Sequence, residues 1–135
     1  MRNDASIEAP ARLGPFRLRV DPARAVSFAS ETGGDGKRVP LSYPAVWLTA
    51  PLLFTPVRDL CERLEVVPVH ESQSFVYETP LVSGASYDVV ADLRREETPP
   101  RLVIDATITG PDGQPVARIE TMLRLVPRAG FGAAP

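Results

Sequence analysis

Downstream of Val66, apolar and polar side chains alternate with few breaks. The stretch "VVPVHESQSFVYETP" puts Val67, Val69, Phe75 and Tyr77 on one side, and "SYDVVADLRRE" does the same with Tyr87, Val89, Ala91 and Leu93. "RLVIDATIT" continues through Leu102, Ile104, Ala106 and Ile108, and "VARIETMLRLV" through Ala117, Ile119, Thr121, Leu123 and Leu125. A period of two belongs to an extended chain, whose successive side chains point to opposite faces. The four segments therefore predict an antiparallel sheet with one face buried and the other wet. "GPDGQ" between the last two reads as a hairpin turn.

The first half of the chain follows other rules. "FRLRV", Phe16 to Val20, alternates and predicts a short strand. Asp21 then offers a carboxylate to free first-turn amides, and Pro22 suits the first helical position. Ala25, Val26, Phe28 and Ala29 form an apolar stripe and Gly33 supplies a left-handed stop, so a helix is expected over about Pro22 to Thr32. A second apolar stretch runs from Ala45 to Leu64. It is apolar on nearly every side through Phe54 and amphipathic only at "VRDLCERLE", where Val57, Leu60, Cys61 and Leu64 share a face. A helix that is apolar all round is one that other elements surround. Pro51 and Pro56 each remove an amide donor, which predicts a kinked or two-piece helix restarting near Thr55 and Pro56.

A sheet with one apolar face needs a cover, and the chain offers one long apolar helix for it. The expected fold is α+β: a curved antiparallel sheet of about five strands wrapped around that helix, the arrangement called a hotdog. The domain is expected over residues 15–127, with flexible tails at 1–14 and 128–135.

Composition narrows the function. At 135 residues, with 44% hydrophobic and 24% charged side chains, the chain fits one globular domain. A net charge of -2 gives no basic field for nucleic acid or an anionic membrane surface. One cysteine, Cys61, excludes an internal disulfide and fits a reducing compartment. With one histidine and one cysteine, neither a structural zinc site nor any other metal or cofactor is expected. "MRNDASIEAPARLGP" has no apolar signal core, and the run "AVWLTAPLLFTPV" is shorter than a bilayer span, so a cytoplasmic protein is expected.

"LSYPAVWLTAPLLFTP", "VVPVHESQSFVYETPLVSGASYDVVADL" and "GQPVARIETMLRLV" together resemble the MaoC-like hydratase/dehydratases. The resemblance covers about Phe16 to Pro127. It implies a hotdog domain, pairing with a second hotdog as homodimer or heterodimer through one continuous sheet, and binding to acyl thioesters of coenzyme A or acyl carrier protein. In that family an Asp, one residue, Asn, Pro, one residue, His motif handles the proton and the water. Here it falls on "TGGDGKRVP": Asp35 keeps the aspartate position, while Lys37, Arg38 and Pro40 stand at the Asn, Pro and His positions. Where the family has His-Gly before the long helix, this chain has Tyr43 and Pro44. Proline has no amide to donate, so an oxyanion contact falls to Ala45 or Val46. The turn "ETPLVSG" carries Thr79 where the family has Arg.

Asp35 is thus the candidate catalytic carboxylate, though without a histidine to share the proton work a solvated turn aspartate after two glycines is the favoured reading. Tyr43, Ala45, Val46 and Trp47 are the candidate substrate-binding residues; Tyr43, Trp47 and Phe54 either line an acyl slot or pack the core. His70 is expected on the wet face, opposite Val67 and Val69, unless an adjoining subunit covers the start of its strand. Asp59 and Glu62 fall on the polar side of the long helix, and Cys61 on its packed face. Three functions stay open: a catalytically reduced subunit of an enoyl hydratase or 3-hydroxyacyl dehydratase, a hotdog thioesterase, and a non-enzymatic ligand or protein-interaction module.

Overall fold

The computed structural model describes residues 10–31, 39, 43–48 and 51–130. Strand β1 (Ala11–Arg19) leads into helix α1 (Pro22–Glu31), and the apolar stretch forms α2 (Ala45–Leu48) and α3 (Pro51–Arg63). Strands β2 (Val66–Tyr77), β3 (Ser86–Glu97), β4 (Pro100–Thr109) and β5 (Pro115–Pro127) follow, and a short 3-10 turn closes at Arg128–Gly130. All five strands join one antiparallel sheet in the order β1-β3-β4-β5-β2, with β1 and β2 at its edges.

Local chemistry explains the element starts. Asp21 Oδ1 accepts from the amides of Ala23 at 2.9 Å and Arg24 at 3.3 Å, capping α1, with Pro22 as its first residue. Of the expected apolar stripe on α1, Ala25 has a described side chain, and it is buried. Glu65 takes a left-handed φ of 56° where α3 turns into β2, and its carbonyl accepts from the Arg128 amide at 2.9 Å.

The long helix is in two pieces, but the second begins at Pro51. Pro56 lies inside α3 and does not restart it. Proline is tolerated in a helix's first turn, where its missing amide has no partner to lose, so Pro51 marks the start.

The inner face of the sheet is as the alternation on its three inner strands predicts. Tyr87, Val89, Ala91 and Leu93 on β3, Leu102, Ile104, Ala106 and Ile108 on β4, and Ala117, Ile119 and Leu125 on β5 are all buried. Leu53, Val57, Leu60 and Cys61 of α3 pack against one half of this face. Tyr43 and Trp47, with Val20 and Ala25, cover the other half. The helix is not enclosed on every side, however. Phe54 is 43% exposed, so the expectation of a helix surrounded all round fails there.

Two other corrections come from bulges. β1 begins at Ala11, so part of the expected tail over residues 1–14 belongs to the sheet. The register with β3 shifts between Leu13 and Phe16. Ala11 and Leu13 before the shift, and Phe16 and Leu18 after it, are the less exposed positions. A period-two reading cannot follow a strand across such a change of parity. The same effect at β2 moves the candidate site.

Candidate functional site

β2 pairs with β5 along its whole length, but the register shifts between His70 and Ser72. Tyr77, Phe75 and Gln73 face Ala117, Ile119 and Thr121; beyond the shift, His70 faces Leu123 and Pro68 faces Leu125. Those β5 residues belong to the inner face, so His70 and Pro68 belong to it too. Glu71 is the extra residue of the bulge. Val69 is turned outward and is 37% exposed. Val67 and Val69 therefore do not mark the core face, because one inserted residue exchanges the faces of everything before it; His70 lies opposite them as expected and stays exposed, but on the inner side of the sheet.

The bulge has its own support on the outer face. Arg101 and Arg124 are direct cross-strand partners on β4 and β5, and the Glu71 carboxylate bridges them, accepting from both guanidinium groups. The hydrogen bond from Arg101 and both positive charges hold the Glu71 carboxyl below its ordinary pKa. Elsewhere on this face Arg12 pairs with Asp92 at 2.7 Å and Arg17 with Asp88 at 2.8 Å, each across β1 and β3. Arg94 reaches Asp105 at 2.8 Å.

On the inner side, a groove of about 340 Å³ opens between α3 and the sheet floor. Leu53, Phe54 and Val57 line it from the helix, with Ala45 from the start of α2. Its floor is made by Pro68, His70 and Gln73 of β2, Ile104 of β4, and Thr121 and Leu123 of β5. The volume is at the small end for small-molecule sites, and the make-up is usual for them: mostly apolar, with a few polar groups placed together. Gln73 Nε2 donates to Thr121 Oγ1 at 2.9 Å.

The expected site residues separate. Ala45 borders the groove. Tyr43 and Trp47 are buried in the core, their rings edge-to-face at 5.9 Å, and Trp47 also meets Tyr87 at 6.2 Å. The Tyr43 hydroxyl accepts from the Asp21 amide at 3.2 Å, tying the start of α1 to the approach of α2. The Val46 side chain, Asp35, Lys37, Arg38 and Pro40 lie outside the described residues. Cys61 is buried, and burial raises its thiol pKa, which keeps it an unreactive packing group. Gln73 and Thr121 were missed by sequence reading. The signal was present, since Thr121 was assigned to the inner face and is a hydroxyl among aliphatic neighbours.

No family model matches the sequence and no curated protein does. Solved structures do match. The truncated HadBC complex of Mycobacterium tuberculosis, a (3R)-hydroxyacyl-ACP dehydratase, aligns with TM-score 0.67 at 18% identity, over 91% of this chain and 98% of that one. The chain has the hotdog fold. The (R)-hydratase of A. caviae involved in PHA biosynthesis aligns with TM-score 0.56 at 17% identity, covering 90% of this chain and 99% of the hydratase. A hypothetical thioesterase of Streptococcus pneumoniae with coenzyme A gives 0.56 at 12% identity, over 82% of this chain and 76% of the thioesterase. This chain thus matches nearly the whole length of the two hydratase-type hotdogs and less of the thioesterase. Among the described residues, no helix is long and apolar enough to cross a membrane.

Proposed function

We propose that this hotdog chain is a MaoC-like subunit that binds acyl thioesters of coenzyme A or acyl carrier protein. It lacks a complete proton-handling set of its own and works beside a second hotdog subunit. The observation that carries this reading is the apolar groove between α3 and the floor of β2, β4 and β5, in a chain whose motif loop has Lys37 and Pro40 where Asn and His belong. The groove supplies room for an acyl chain. The loop keeps one carboxylate, Asp35, without the imidazole that would share the proton transfer, and a general base needs its partner placed.

Ala45 would touch the bound chain, with the Val46 amide beside it. Tyr43 and Trp47 would act from behind, fixing where α2 starts. The sheet edges favour the place for a partner. β1 carries Arg12, Arg17 and Arg19 together with the Gly14–Pro15 bulge, features that blunt an edge. β2 carries one formal charge, Glu71, turned to the outer face and already paired. A second sheet laid along β2 would cover Phe54 and close the groove beside His70. That the HadBC dehydratase is a complex of two proteins supports this arrangement.

The test is turnover and binding by the purified chain. Titration with acyl-CoA should show binding, and incubation with crotonyl-CoA should show neither hydration nor free CoA. Hydration by the chain alone, lost in Asp35→Asn, would contradict the reading. Release of free CoA would transfer the case to a thioesterase.

A further inference from the structure

The groove is apolar except along one line of its floor. Gln73 and Thr121 are direct cross-strand partners on β2 and β5, and His70 lies next along the same face of β2. Thr121 is a buried polar residue, 5% exposed, flanked along β5 by Ile119 and Leu123 and across the sheet by Ile104. Its hydroxyl oxygen accepts from Gln73 Nε2 at 2.9 Å. A hydroxyl that accepts from an amide turns its own proton elsewhere, and here no other described residue takes it. The Gln73 amide, with its nitrogen donating to Thr121, keeps its carbonyl oxygen as an acceptor in the same plane.

One donor and one acceptor are thus left side by side on the lining of an apolar groove. Burying a hydroxyl with its proton unmatched is unfavourable. A valine at position 121 would have filled nearly the same space with no polar atom to satisfy. A groove built for plain hydrocarbon gains nothing from this pair, whereas a ligand hydroxyl entering between the two completes both.

Resting on the acyl-groove reading above, we propose that Gln73 and Thr121 are the specificity determinants of the groove. They select an acyl group bearing a hydroxyl over an alkyl chain of the same length. Thr121 donates to the hydroxyl oxygen, Gln73 accepts from the same hydroxyl, and Leu53, Phe54 and Val57 hold the hydrocarbon.

Calorimetric titration of the protein with hexanoyl-CoA, 3-hydroxyhexanoyl-CoA and 6-hydroxyhexanoyl-CoA tests this. At least one hydroxylated thioester should bind about tenfold more tightly than hexanoyl-CoA, the size expected for a buried hydrogen bond or two. That ratio should fall to about one in Thr121→Val. Gln73→Leu, at a half-buried strand position, provides a second variant that should act the same way, and circular dichroism verifies that each is folded. Equal affinities in the unmodified protein, or a ratio that survives both substitutions, would overturn the assignment while leaving acyl binding intact. Failure to bind any of the three thioesters would overturn the acyl-groove reading and this inference together.

Discussion

At the scale of single residues, Glu71 governs the arrangement more than its exposed position suggests. It is the extra residue that turns His70 and Pro68 inward, and its carboxylate separates two arginines that the register sets face to face. Replacing it by Gln leaves Arg101 and Arg124 face to face with Glu96, 3.7 Å from Arg101, as the remaining counter-charge, and like charges opposite each other on adjacent strands are destabilising. Glu71→Gln should lower the thermal midpoint, and added salt should recover part of the loss by screening the repulsion. A midpoint unchanged at low salt would show that the bridge contributes nothing. Acid should act in the same direction: with its pKa held below the ordinary value of 4.5, Glu71 contributes stability above that pH that is lost as pH falls through the lowered pKa. None of this was legible in the sequence. "HES" on an edge strand looks like any polar stretch, and only the register reveals which of the three is the insertion.

Elements were easier to read than the sites they carry. The alternation on β3, β4 and β5 identified the inner face because those strands keep one parity, apart from a shift near Thr109. β1 and β2, the two edge strands, each contain a bulge, and there the period-two reading failed. An edge strand is paired on one side only and can take up an extra residue at lower cost, which is where bulges gather. Val103 escaped for a related reason. It is fully buried on the outer side, between its cross-strand partners Arg94 and Met122, in a place where alternation predicts a wet residue. The packing between α3 and β4 gives a direct test at this scale. Leu102 is fully buried in the cluster that holds Leu53, Val57 and Leu60, and Leu102→Ala should cost about 2–5 kcal/mol in denaturant unfolding. A cost below about 1 kcal/mol would mean that α3 does not close over this part of the sheet.

For the whole molecule, the fold was more legible than the function because the two leave different traces. A sheet packed against a helix is written in dozens of apolar positions, whereas a catalytic site is written in three or four, and Asp35, the one candidate, lies outside the described residues. The polar groove residues Gln73 and Thr121 lie 48 positions apart in the chain and meet only through the β2–β5 pairing. Global stability should also respond to alkali. Burial, with a smaller contribution from Tyr87, pushes the Tyr77 hydroxyl up to about 12 from an ordinary value of 10. Because the folded value is the higher one, the protein binds this proton more tightly than the unfolded chain does. The associated stability is complete below pH 10 and is lost as pH rises toward 12. Unfolding followed across that window should show the decline, and Tyr77→Phe should flatten it; an unchanged slope in the variant would place the alkaline loss elsewhere.

The division between binding and catalysis is open to one assay. Purified chain is titrated with an acyl-CoA and, in the same preparation, given crotonyl-CoA while hydration and free CoA are followed. Saturable binding with no product is the expected result, since the groove is present and the imidazole of the motif is not. Hydration by this chain alone, abolished by Asp35→Asn, would contradict it.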